Sequence, residues 1–396
     1  MSSEITLSAA TRQNLLSLQD TSALTSTTQN RLATGKKVSS ALDNPINFFT
    51  AQSLSSRSGD LSGLLDGISH GVQTIQAANQ GITSIQKLVD QAKSITSQAL
   101  ATQITTTGTA TTAFAAPTAA STVSFFVNGV AKSAALASTD TIDTTIAKLN
   151  TSAGSTIFSK DTTGTKLVLN ASSDIEFAAS TSQTALGFAA GTGSGTTYGT
   201  VPTVGQSSDL SVAGVSTRAS LANQYNSLLT QIDQLAKDAS FNGVNLLSNS
   251  DPTNKLHISF NEKDTSNLDV QGIDTTSVGL KLTSITAASG STTTAGQGNF
   301  LLDADIKSTA TLLSGATDSL RASASRFGSN LSVVQNRQDF SKNLINVLDT
   351  GSANLTDADL NAEAANSQAL TTRQSLGISA LSLANQAQQG ILKLLQ

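Results

Sequence analysis

The sequence predicts a mainly α-helical chain, with long N- and C-terminal helices paired in a coiled-coil-like rod. A β-hairpin region and an inserted small α+β domain complete the expectation. Three observations carry it. The last stretch, Leu376 to Leu395, sets apolar residues at helical spacing with no charge between Arg373 and Lys393. The first helix-like stretch shares its unusual polar face of Ser, Thr, Gln and Asn, so the two ends are expected to lie together. Between them, residues 101–213 turn rich in Thr, Ala and Gly, with short β-like runs.

At 396 residues the chain has room for two or three domains. Charged residues make up 13% and the net charge is -4, which argues against a nucleic-acid-binding face. Aromatic residues are 4% and Trp is absent, a composition that suits long helices joined by small-residue contacts. The absence of Cys excludes disulfides and thiolate metal sites. No run reaches the roughly 18 apolar residues of a membrane span, since Asn385, Gln386, Gln388 and Gln389 interrupt the last helix. Met1-Ser2-Ser3-Glu4-Ile5 offers neither a basic nor a sustained apolar region, so no general secretory signal is expected and export would need another route.

In chain order, residues 5 to about 34 read as an amphipathic helix with Ile5, Ala9, Leu15, Leu16, Leu18, Leu24 and Leu32 as apolar points. Gly35 ends it, and Lys36-Lys37 suit the dipole of its C-terminus. Asn44 caps a new helix with Pro45 in its first position. Beyond Gly59 a long helix runs to about Leu100. Its seam of Leu61, Leu65, Ile68, Val72 and Ile75 continues, after a shift of phase, through Ile82, Ile85, Leu88, Ala92, Ile95 and Ala99. Glycines 63, 67, 71 and 81 weaken it by up to about 1 kcal/mol each and are expected where another helix comes close.

The insert begins with a strand at Val123 to Val127 and an Asn128-Gly129 turn. A short helix over Asp140 to Leu149 follows, then strands at 156–158, 166–169 and 174–177. Six of the 13 phenylalanines supply its core, and Gly191 to Gly205 reads as a Gly/Thr linker. Helix returns from Thr217 to Ala239. A turn at Phe241-Asn242-Gly243-Val244 leads to strands at 256–260 and 268–270, and 284–298 reads as a flexible loop. A third long helix covers Leu301 to Leu348, with Leu313, Leu320, Phe327, Val334 and Leu348 at heptad spacing and Ala324, Leu331 and Ile345 beside them. Gly351 ends it, and Thr356 to Asp359 forms a capping box for the last helix.

Chemistry-bearing residues are few. His70 and His257 are far apart and read as surface or packing residues, and no H-E-x-x-H occurs. Gly191, Gly193 and Gly195 lack the sixth-position Gly of a phosphate loop, where Thr196 stands. Asp357 and Asp359 read as helix caps rather than paired catalytic carboxylates. Lys36 and Lys37 read equally as a solvated helix end or a contact to a neighbour. The sequons at Asn150 and Asn170 are at chance level. No enzyme activity, cofactor or metal is expected. The long seams read as packing within the chain, the terminal helices as packing between chains, because isolated helices draw most of their stability from packing.

Five segments in order resemble bacterial flagellins. Arg31-Leu-Ala-Thr-Gly-Lys-Lys-Val-Ser-Ser-Ala-Leu-Asp43 is similar to that family's R-L-S-S-G-x-x-V-x-S-A-x-D. Phe241-Asn242-Gly243 through Leu246-Leu247 resembles its F-N-G-x-x-L-L hairpin, Gln335-Asn336-Arg337 its Q-N-R, and Asp357-Ala358-Asp359 its D-A-D. Ala384-Asn385-Gln386, Gln389, Leu392 and Leu394-Leu395 match its A-N-Q-x-x-Q-x-x-L-x-L-L ending. The resemblance covers residues 1–100 and 214–396. Ser332 replaces a family Gly, and the Arg337–Asp357 interval is shorter than in many members. At the patch many members present to a Toll-like receptor, Lys87, Val89, Asp90 and Gln91 only echo Q-R-x-R-E-L, which argues against that recognition.

The resemblance implies a filament subunit for swimming motility, exported through a flagellar type III channel. Residues 1–43 and 352–396 would form an inner helical tube, 44–104 and 214–351 a rod with a β-hairpin, and 105–213 a variable domain exposed at the surface. Subunit packing would fall to Leu15, Leu18, Leu24, Leu32, Leu376, Leu383, Ala384, Asn385, Gln386, Ile391, Leu394 and Leu395. Implied partners are further subunits, an export chaperone on the last helix, and filament cap and hook-associated proteins. A hook–filament junction protein, or a secreted adhesin whose insert binds glycans, are the alternatives.

Overall fold

The computed structural model describes residues 9–192, 194–198, 201–286 and 300–394. It is mainly helical, and it divides into two compact units. The first gathers Met1–Ser69, Ser259–Asn267 and Asn336–Gln396; the second gathers His70–Ile258 and Leu268–Gln335.

In the first unit, α1 (Ala9–Thr34) packs against α7 (Leu360–Leu394). Gly35 closes α1 with φ +69, its N–H donating to the Arg31 carbonyl at 2.8 Å. This is the left-handed stop that a residue without Cβ adopts at least cost. α2 (Pro45–Ala101) starts where expected, Asn44 Oδ1 accepting from the Asn47 N–H at 3.1 Å. It runs unbroken through Gly59. Helix α6 (Asp303–Thr356) likewise runs through Gly351, the expected stop. An interior glycine costs only about 1 kcal/mol, and a Cβ at Gly351 would sit 3.5 Å from Leu54 Cδ1. The cap of α7 is Asp359 rather than Thr356. Asp359 Oδ1 accepts from the N–H groups of Asn361 (2.9 Å) and Ala362 (3.2 Å), while the Thr356 hydroxyl donates back to Ser352 at 3.0 Å.

Along α2 the buried positions Leu61, Ile68, Ile75, Ile82, Val89 and Thr96 recur every seven residues, and Ala78, Ile85, Ala92 and Ala99 do the same. The seam therefore keeps one phase, and Leu65, Val72, Leu88 and Ile95 flank it half-buried. The glycines also differ from expectation. Gly63 and Gly67 have open space where a Cβ would stand, whereas Gly71 and Gly81 are approached by Ile258 and by Leu247 and Ala239, none of them helical. On α6 the expected heptad is buried at Leu313, Leu320, Phe327, Val334 and Leu348, with Ser341 filling the remaining position.

The insert in the second unit contains β1 (Thr105–Thr109), β2 (Ser121–Val127), β3 (Val130–Leu136), α3 (Ile142–Ala153), β4 (Phe158–Lys160), β5 (Leu167–Ala171) and β6 (Ile175–Phe177). The short α4 (Ser180–Thr184), β7 (Ser194–Tyr198), β8 (Val201–Val204) and β9 (Leu210–Ala213) complete it. Two antiparallel sheets form, in the orders β4-β5-β1-β9 and β3-β2-β6. Phe125, Phe158, Phe177 and Phe188 meet in one core with Leu149, Leu167 and Leu169. Asn128 (φ +49) and Gly129 (φ +78) make the β2–β3 turn, the geometry whose twist suits a two-residue hairpin. The expected linker at 191–205 is instead a hairpin, β7–β8. Tyr198 anchors it on the Phe126 ring, with 4.9 Å between centroids, so one aromatic residue gave a Gly/Thr stretch something to bury.

α5 (Val215–Asp238) follows. Its buried Arg218 donates to the carbonyls of Thr102 (2.8 Å), Phe300 (3.2 Å) and Leu301 (3.1 Å) and pairs with Asp303 at 2.7 Å. One guanidinium thus ties together the chain entering and leaving the insert and the start of α6. The hairpins β10–β11 (Ser240–Phe241, Val244–Asn245) and β12–β13 (Lys255–Ser259, Asn267–Gln271) fall where expected. Of the expected loop, 284–286 is irregular and 287–298 lies outside the described residues.

Candidate assembly surface

The first expected motif is a corner. Asp43 Oδ2 accepts from the N–H groups of Ser39 and Ser40, both at 2.9 Å, and from both hydroxyls. The Ser40 and Ser39 amides hold the Asp43 carboxyl below the usual carboxylate range. The turn so fixed lies against the α6–α7 connection. Lys37 N–H donates to the Thr356 carbonyl (2.7 Å), Ala358 N–H to the Gly35 carbonyl (2.8 Å), and Lys37 Nζ to the Asn354 carbonyl (2.8 Å). Lys37 is therefore committed to its own chain, which neither reading of the lysine pair anticipated. The R-L-A-T-G-K-K and D-A-D motifs are the two halves of this joint. A groove of about 330 Å³ beside it is lined by Val38, Phe48, Ala51, Ser352 and Thr356.

From the joint, α1 and α7 run together. The least exposed positions of α1 are Thr11, Asn14, Leu18, Thr21, Thr25, Thr28 and Leu32, alternating three and four residues apart. Those of α7 are Glu363, Ser367, Leu370, Gln374, Gly377, Leu381 and Ala384, with the same alternation. This is coiled-coil spacing on a mostly polar seam. Arg31 pairs with Glu363 at 3.1 Å, and a Cβ on Gly377 would stand 2.7 Å from Leu18 Cδ1.

The apolar residues that dominate the sequence of these helices face elsewhere. Leu376 and Leu383 are 66% and 69% exposed, and with the exposed Ala380 and Ala387 they form a second stripe at spacing four, three, four. Leu15, Leu16 and Leu24 are also exposed on α1. Of the expected packing residues, the structure thus turns Leu18, Leu32 and Ala384 partly inward. It leaves Leu15, Leu24, Leu376, Leu383, Asn385 and Gln386 open. The side chains of Ile391 and Leu394, and Leu395 as a whole, lie outside the described residues.

Sequence reasoning missed a further patch in the same unit. Leu42, Ile46 and Phe49 are exposed at the start of α2, as are Phe340 and Val347 on α6, one residue out of phase with its buried heptad. Among the described residues, twelve of the sixteen exposed large hydrophobics fall in the first unit, Val130, Val201, Val278 and Val333 being the others. Exposed apolar residues concentrated in one unit differ from the single scattered ones normal on any protein. Among the described residues no group of three or more His, Cys, Asp and Glu side chains could hold a metal ion, and no helix is long and apolar enough to cross a membrane.

This chain pairs its two ends through a mostly polar seam, leaves apolar stripes of that pair uncovered, and carries a β-rich insert between them in sequence. It belongs to the bacterial flagellin family. The family's N-terminal helical region matches residues 5–116 and its C-terminal helical region residues 311–395. Flagellin FljM of Caulobacter vibrioides is 37% identical over 177 residues, 44% of this chain and 58% of its own length. Flagellin FljO of the same organism is 35% identical over 190 residues, 47% of this chain and 63% of its own. Flagellin C of Rhizobium meliloti is 41% identical over 85 residues, 22% and 25% of the two chains. The chain therefore spans less than two thirds of the length of these relatives.

Proposed function

We propose that this protein is a structural subunit of the bacterial flagellar filament, polymerising with copies of itself for swimming motility. The observation that carries the reading is the outward apolar stripe of α7 through Leu376, Ala380, Leu383 and Ala387, which its own partner helix leaves uncovered. In the filament, residues 1–43 and 352–396 line an inner tube, 44–104 and 214–351 form a surrounding rod, and 105–213 projects outward. Its place is extracellular, reached by type III export. An export chaperone would take the last helix, and cap and hook-associated proteins the filament ends. The role is mechanical, without catalysis.

Removing Gln374 to Gln396 tests this. The expected product is a soluble, folded chain that makes no filaments by electron microscopy under conditions where the full chain does. Normal-length filaments from the truncated chain, or short rings only from the full one, overturn the reading.

A further inference from the structure

The β7–β8 hairpin lies beside β6, yet among the described residues no backbone ladder joins them; the three-stranded sheet ends at β6 and the hairpin forms a sheet of its own. Side chains make the connection. The Tyr198 hydroxyl donates to Asp174. The Thr196 hydroxyl donates to Glu176 at 2.6 Å, and the Thr203 hydroxyl is shared between the same carboxylate and the Thr196 carbonyl. Three hydroxyls of one hairpin thus converge on two carboxylates set two residues apart at the edge of the sheet. The hairpin in turn covers an apolar cluster of Phe126, Ile104, Leu301 and Leu302 through the Tyr198 ring.

We propose that this hairpin is a proton-responsive strap over the edge of the insert's three-stranded sheet, closed in acid and loosened as Asp174 ionises. The groups around that carboxyl give the reason. Asp174 is 3% exposed and receives one neutral donor, Tyr198. Glu176 faces it along the same strand. Arg218 and Asp303 line the same cavity of about 350 Å³, but the guanidinium is held by Asp303 and three carbonyls. Burial, then the neighbouring Glu176, pushes the Asp174 carboxyl up from 3.8 to about 6. The same burial and carboxylates drive the Tyr198 phenol upward, so it stays a donor throughout. A carboxyl raised in the closed form stabilises that form fully below its ordinary value, and the gain is lost as pH rises through about 6. At tenfold per pH unit the closed population can change by up to about a hundredfold.

Hydrogen exchange on the full chain reads this directly. Between pH 5 and pH 8, after correction for intrinsic rates, peptides over β7 and β8 should lose protection at least about tenfold, while peptides over β1 and β5 hold theirs. Asp174→Asn should abolish the step. Glu176→Gln removes the neighbouring charge and should move the midpoint to lower pH, which keeps the test open if the first variant fails to fold. Equal protection of the strap at both pH values, a step that survives Asp174→Asn, or an unmoved midpoint in Glu176→Gln would each overturn the proposal.

Discussion

The insert and the terminal helix pair solve opposite problems with the same few residue types. In the insert, Phe125, Phe158, Phe177 and Phe188 turn inward and Thr or Ser side chains cover the outside. In the α1–α7 pair, threonines take most of the α1 seam beside Leu18 and Leu32, while Leu15, Leu16, Leu24, Leu376 and Leu383 face out. The first arrangement stabilises a unit that is complete in one chain. The second leaves large hydrophobic residues of both helices uncovered within one chain. Inside-out patterning at two chain ends therefore signals association more directly than total hydrophobicity, which is unremarkable here at 38%.

The contrast can be broken experimentally. Phe177→Ala, which empties a fully buried site, should cost about 3–5 kcal/mol in the insert. A calorimetric scan should show that transition moving down while filament formation by the folded chain persists. Arg218→Ala leaves the Thr102, Phe300 and Leu301 carbonyls without their donor and should cost about 2–4 kcal/mol, read by urea denaturation. Asp305 is 1% exposed, and among the described residues neither carboxylate oxygen has a partner; burial raises it from 3.8 to about 6. Its contribution is most favourable below its ordinary value and is lost as pH rises through about 6, so Asp305→Asn should add about 1–3 kcal/mol at pH 7 and little at pH 4. A gain over the parent chain no larger at pH 7 than at pH 4 would remove that account. Leu383→Ser is the smallest change for the free monomer, within about 0.5 kcal/mol because the site is exposed. It should nevertheless raise the concentration needed for polymerisation several-fold, as followed by light scattering.

Much of the fold was legible because helical periodicity survives at long range. The α6 heptad from Leu313 to Leu348 was readable at every apolar position but not at Ser341, and Asn44-Pro45 marked a helix start that the hydrogen bonds bear out. Helix ends were less legible. Gly59 and Gly351 look like stops, yet packing offsets the modest cost of an interior glycine. The polar seam was hidden because Thr and Ser carry no hydrophobic signal. Leu376 and Leu383 announced a face without saying which way it points. Arg218 could not be found at all, since three of its four partners are carbonyls distant in sequence, and backbone acceptors leave no mark in composition.

The threonines of the α1 seam carry one more consequence. The hydroxyl of Thr21 donates to the Ser17 carbonyl at 2.8 Å and that of Thr25 to the Thr21 carbonyl at 2.7 Å, both on their own helix. When α1 and α7 separate, those two bonds travel with α1, whereas the Arg31–Glu363 pair has to break. At Thr21 and Thr25 the contact can thus come apart and re-form without finding new partners for its hydroxyls. Cross-helix bonds at those two positions would have to break as well, and the pair would be slower to open.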